Sequence, residues 1–366
     1  MIQGLIILNN PDYEAKRYHG TLIAMTITVA VSLFNIFLAR HLPLVEGCIL
    51  ILHFAGFFAI VVSLWVLAPR TPHALVWNNF QDGGGWGSIG LACLVGMLTN
   101  VGAFVGSDAA AHMSEELRNA SKVLPRAMLT TVISNGCLGF VMLVTLLYTI
   151  GDLESVLGTA TGYPIIQVFY NATLSNGGAT GLTCILVVLN IANNLTNTAG
   201  ASRQLFAFAR DRGVPGNSFI GKVPAGWDVP VNSVITTAIF ACCLHCINIG
   251  SAIAFNVIIS IGTVALGSSY LVCIGCITYR RIACLGLLDS RFSLGKFGLP
   301  INVIALLANL MFLIFAFFPP IKNPGTASMN WAIAVYGGVL TLALVYYFVK
   351  GRRDYAGPVE YVRKSA

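Results

Sequence analysis

The sequence predicts an all-α polytopic membrane protein, and three observations carry that prediction. Hydrophobic residues fill 56% of the 366 positions and charged ones only 10%, against about 25% charged in soluble domains. Apolar runs near or beyond the roughly 20 residues that cross a bilayer recur along the chain. No porin-like alternation accompanies them, so the spans are helices, which satisfy their own backbone in lipid. The ten cysteines lie almost entirely within the apolar runs and lack framework spacing, which argues against disulfides. A net charge of +7, dispersed along the chain, does not suit nucleic acid.

In chain order, residues 1–8 are apolar but too short to span. With no basic n-region and no small-residue cleavage site, they read as the end of a helix whose beginning is missing, and not as a signal peptide. Spans are expected at about 21–39 and 46–67, separated by Arg40-His41-Leu42-Pro43 and closed by Pro69 and Pro72. A polar connector at 78–85 leads to the third span, 88–116, which is broken. The fourth covers 128–150. A wet loop with Asp152 and Glu154 follows, with a short amphipathic piece at 164–171. The fifth span, 181–209, is the longest and has a polar second half. Spans at 233–249, 252–279, 299–318 and 331–349 complete a count of nine and a stub, and 351–366 is a charged tail.

The break in the third span organises the rest. Gly102, Gly106, Ser107 and Asp108 stand where further apolar residues are expected. A carboxylate at bilayer depth costs about 2.5–3.5 kcal/mol on insertion scales, so it must face a partner or a water-filled cavity. Gly106 lowers the cost of interrupting the helix, and Ser107 or Asp108 can cap a half-helix starting at Ala109. Asp108 then marks a discontinuous helix that offers backbone polar groups to a solute, or it merely caps a kink. His112 lies one turn on, close enough to pair with it.

Asn190, Asn193 or Asn194, and Asn197 recur at three-to-four spacing and share one helical face of the fifth span. Such amides either glue helices together or line a cavity. His53 stands alone in an apolar run, as a packing residue or a proton relay. Cys242-Cys243-Leu244-His245-Cys246 and Cys273-Ile274-Gly275-Cys276 mimic metal-ligand spacing but lack polar support, so they read as packing and no metal site is expected. No Walker loop, nucleophile elbow or zincin motif is present, and Asp108 is the one acid well inside a span, so the sequence does not read as an enzyme.

Placing successive loops on alternate sides puts 17 of the 21 Lys and Arg residues on one side, leaving Lys16, Arg17, Arg70 and Lys322 on the other. The positive-inside rule makes the rich side, which carries the C-terminal tail, cytoplasmic. The Asp152 loop then faces outward with the sequon Asn171-Ala172-Thr173, a candidate glycosylation site.

Val105-Gly106-Ser107-Asp108, then Ser114-Glu115-Glu116, Asn119-Ala120-Ser121 and 123–128 (Val-Leu-Pro-Arg-Ala-Met), resemble the sixth helix and following loop of the amino acid, polyamine and organocation transporter superfamily. The segment from Arg203 through Asp211 to Gly213-Val214-Pro215 is similar to the cytoplasmic end of that family's eighth helix, and the likeness is greatest to fungal amino acid, GABA and choline permeases. The resemblance implies a leucine-transporter-type inverted-repeat fold lacking its first two to three helices, with the second repeat intact over 91–279. It implies a secondary active transporter of the plasma membrane that moves amino acids or related amines by alternating access, coupled to protons and using no cofactor. Gly102, Phe104, Val105, Gly106, Ser107 and Asp108 would line the central site with the Asn190, Asn193, Asn194 and Asn197 face opposite. His53, seven residues after Glu46, would take the place of a coupling lysine. The alternative expectation is a truncated remnant that does not transport and acts as an interaction partner.

Overall fold

The structure is a computed structural model that describes residues 1–104, 106–250, 252–287, 291–326 and 328–355, the side chains of residues 115, 116 and 252–260 lying outside the description. Val105 and the tail from 356 onward are therefore outside the described residues.

The described elements are all helical. α1 (Ile2–Asn9) precedes α2 (Arg17–Phe37), which passes through a 3₁₀ turn, Ala39–His41, into α3 (Leu42–Leu67). Pro43 sits in the first turn of α3, where its missing N–H breaks no helical bond. After the short α4 (His73–Asn78), Asp82 ties the next loop. Its carboxyl is held below the usual range by backbone N–H donors, Trp86 foremost, and Gly87 donates to it at 2.7 Å. Ser88 then opens α5 (Ile89–Ala103) by accepting from the Leu91 N–H.

A 3₁₀ stretch, Ala109–Glu116, leads to α6 (Ala120–Thr149). This helix begins well before position 128 and carries Pro125 inside it, near enough to the N-terminus that the loss of one backbone bond does not end it. α7 (Leu153–Leu157) is capped by Asp152, and α8 (Pro164–Thr173) by no side chain. Then come α9 (Asn176–Arg210), α10 (Asn217–Ile220), α11 (Val231–Gly250), α12 (Ala252–Ile282), α13 (Gly298–Ala316) and α14 (Ala332–Tyr346).

Eight of the described helices are long and apolar enough to cross a membrane. The ninth expected span is the broken one, whose α-helical part has only 15 residues. Ile51, Val66 and Leu342 are 71%, 74% and 71% exposed, an outward apolar surface that lipid satisfies and water does not.

The chain divides into two compact units. The first combines Met1–Phe80, Ile133–Phe206 and Ser218–Ile249. Its core is built from Ile60, Leu64, Val156, Val168 and Phe169. Gly56 lets α3 approach α9, because a Cβ there would meet Ile185 at 2.5 Å. The indole of Trp65 donates to Thr145 at 2.9 Å, and the Asn35 amide donates to the Leu195 carbonyl at 3.2 Å. Buried polar groups of this kind fix helix register, since each left unpaired in lipid costs free energy.

The second unit combines Gln81–Val132, Ala207–Asn217 and Gly250–Ala366. Val264, Phe312, Leu313 and Ala316 form its core, with Val101 and Tyr336 packed against them. Gly267 brings α12 onto α13: a Cβ there would crowd Leu313 and Phe312 at 3.1 Å, and the Asn309 amide donates to the Gly267 carbonyl at 2.7 Å.

Candidate functional site: an interrupted helix and a polar-faced helix

In the second unit, α5 stops at Ala103. The Phe104 N–H reaches back to Val101 at 3.0 Å, and single turns follow, Ser107 N–H to Phe104 at 3.4 Å and Ala109 N–H to Gly106 at 3.0 Å. Gly106 has φ +95°, a conformation that a side chain would strain. Gly102, Phe104 and Gly106 are exposed and Ser107 is half-buried. The buried residue of the group is Asp108, 8% exposed.

The capping expectation is corrected here. Neither Ser107 nor Asp108 caps the next element with its side chain, and that element is 3₁₀ and irregular at Met113, not an α half-helix. Asp108 has helical backbone angles, so its carboxylate does not fold back onto the N–H groups ahead of it. It turns to two other groups. Its Oδ2 lies 3.4 Å from His112 Nε2, and the Tyr270 hydroxyl on α12 stands beside the carboxylate. Acceptor-only carboxylates need such donors when buried.

In the first unit α9 continues through its polar stretch. Asn190 donates to the Leu186 carbonyl at 2.8 Å, Asn197 donates to Asn193 Oδ1 at 3.1 Å, and the Thr198 hydroxyl donates to Asn194 Oδ1 at 3.4 Å. The single stripe expected from spacing divides between two cavities. Asn190 and Asn194 join His245, Tyr163 and Gln3 around about 320 Å³, within the roughly 300–1,000 Å³ usual for small-molecule sites. Asn193 joins His53, Glu46 and Thr196 around about 180 Å³, which is small for an organic solute and ample for water. Asp108 and the asparagines belong to different units. Asn171 is half-buried in α8 and accepts from Gln167 at 2.8 Å.

The family profile described as Amino acid permease matches residues 1–339. The chain belongs to the amino acid permease family. Among relatives of this permease, an amino acid/polyamine transporter of Macrophomina phaseolina, so described, is 31% identical over 91% of this chain and 74% of its own. An uncharacterized amino-acid permease of Schizosaccharomyces pombe is 27% identical over 100% of this chain and 67% of its own. The choline transporter of Saccharomyces cerevisiae is 24% identical over 97% and 62%.

Two polar residues of the permease escape a reading by spacing. Tyr270 is far from Asp108 in sequence; its only signal is a hydroxyl in mid-span beside Ser268 and Ser269. His245 sits among cysteines and reads as packing, yet it lines the larger cavity and hydrogen bonds to Thr28 at 3.2 Å.

Proposed function

We propose that this permease moves an amino acid or a related small amine across the plasma membrane as a secondary active transporter, by alternating access. The observation that supports the reading most is the end of the apolar helix α5 at Ala103, followed by a buried carboxylate that lies 3.4 Å from His112 Nε2 and beside Tyr270 of α12. Asp108 attracts the cationic nitrogen of the solute, with Gly102, Phe104, Gly106 and Ser107 supplying the surrounding backbone. In the first unit, the cavity bounded by Asn190, Asn194 and His245 offers amide and imidazole groups to a polar solute. Uptake of labelled amino acids and choline into cells lacking their own carriers tests this. Asp108→Asn is expected to lower uptake by about thirtyfold or more, the effect of losing one partner of a buried charged contact. Uptake that survives the substitution removes Asp108 from the mechanism, and no uptake of any solute by this chain favours the interaction-partner reading.

The proton is the proposed coupling ion, and the smaller cavity is its proposed station. Glu46 and His53 lie two turns apart on α3 and share that space with Asn193. Uptake is expected to decline as external pH rises, and His53→Gln is expected to flatten the decline while leaving solute KM nearly unchanged. A pH profile identical to the parent's would exclude His53 from coupling. The charge distribution supports a cytoplasmic C-terminus, which a C-terminal epitope accessible only after permeabilisation would bear out.

A further inference from the structure

At one end of α12 and α13 the second unit holds a basic cavity of about 430 Å³, lined by Arg280, Arg281 and Lys296 together with backbone at Gly286 and Gly295. The turn around it is fixed by Arg280, whose Nη2 donates to the carbonyls of Gly286 at 2.8 Å and Leu285 at 3.3 Å. Both bonds use one terminal nitrogen, so the N–H groups of the other two nitrogens are left over. Arg281 lies flat against Gly298, where a Cβ would land on its guanidinium, and its buried Nε has no hydrogen-bond partner among the described residues. Lys296 Nζ sits 5.5 Å above the Phe297 ring. α13 begins here with no side-chain cap and no acid in its first turn, so its positive end adds to three cations. No acidic side chain is among the described residues lining the cavity.

Like charges gathered in this way repel one another unless an anion joins them. The surroundings say which kind. Leu287 and Leu299 line the cavity beside the cations and are 45% and 37% exposed, so its rim is partly apolar. The cavity also lies at the ends of two candidate spans, Ile261–Ile282 and Gly295–Ala316, and span ends are where headgroups meet acyl chains. A free phosphate would use the cations and leave the rim in water. An anionic phospholipid uses both.

We propose that this cavity binds the phosphate headgroup of an anionic phospholipid, with Arg280, Arg281 and Lys296 as its ligands and the apolar rim against its acyl chains. The test is native mass spectrometry of the full chain released from detergent, offered phosphatidylglycerol, phosphatidylcholine, or phosphatidylglycerol with excess inorganic phosphate. One retained phosphatidylglycerol is expected, in preference to phosphatidylcholine and undisturbed by phosphate. Arg280→Gln, Arg281→Gln and Lys296→Gln should each weaken its retention roughly fivefold, as expected for one cation near a charged membrane surface. The charge-matched control Lys222→Gln, exposed and in the other unit, should not. Thermal unfolding of each variant near the parent temperature shows that the fold is kept, and Lys296→Gln, at an exposed position, serves if Arg281→Gln does not fold. Equal retention of both lipids, displacement by inorganic phosphate, or unaltered retention in folded variants overturns the proposal.

Discussion

α9 runs unbroken for 35 residues although four asparagines lie along its polar half, whereas α5 ends within five residues of a single carboxylate. The contrast follows from what each side chain can do for itself. An amide carries donors as well as an acceptor, so Asn190 bonds the carbonyl one turn back and Asn197 bonds Asn193 without disturbing the backbone. A carboxylate only accepts, and the N–H groups inside a helix are already committed. Asp108 must therefore find its partners elsewhere, and beyond the end of α5 at Ala103 it lies beside His112 and Tyr270. Amides ride on an intact helix in α9, while the buried acid follows the end of one.

Three substitutions break or sharpen this contrast, in order of decreasing effect. Tyr270→Phe removes a donor from a buried acid and is expected to cost about 1.5–3 kcal/mol of stability. A double-mutant cycle with Asp108→Asn should return most of that loss as coupling energy, and a coupling near zero would mean the two groups do not depend on each other. Gly106→Ala puts a Cβ into open space but on a backbone at φ +95°, so its cost of about 1–2 kcal/mol should come from strain alone. Denaturation midpoints equal to the parent's would show that the bend does not need glycine. Asn197→Ala deletes an amide that α9 satisfies internally, and about 0.6 kcal/mol or less is expected. A loss as large as that of Tyr270→Phe would erase the distinction between the two helices.

The positions of the helices and of the break were legible because both are local properties. Apolar length sets where a chain can cross, and Gly102 and Gly106 around Ser107 and Asp108 cheapen a stop there. The contact of Asp108 with His112 is likewise local, four residues apart on one segment. What partners Asp108 from α12 is not local, and no periodicity announces Tyr270. The form of the segment after the break was misjudged for a related reason. Ser107 and Asp108 are residues that favour helix starts, but Asp108 takes helical backbone angles without capping, and a 3₁₀ stretch stands in place of an α-helix. On α9, spacing located the amides but could not divide them, because the two cavities are defined by α3 on one side and by α1, α2 and α11 on the other.

That division makes α9 a partition with a chamber on either flank, Asn190 and Asn194 on one wall and Asn193 on the other. A partition cannot lean or roll without enlarging one room at the expense of its neighbour. Whatever enters the larger room would then change the space left in the smaller one, and the reverse influence must be of equal size. Two occupants could thus be geared to each other by a single rigid rod, with no chain of relaying side chains between them.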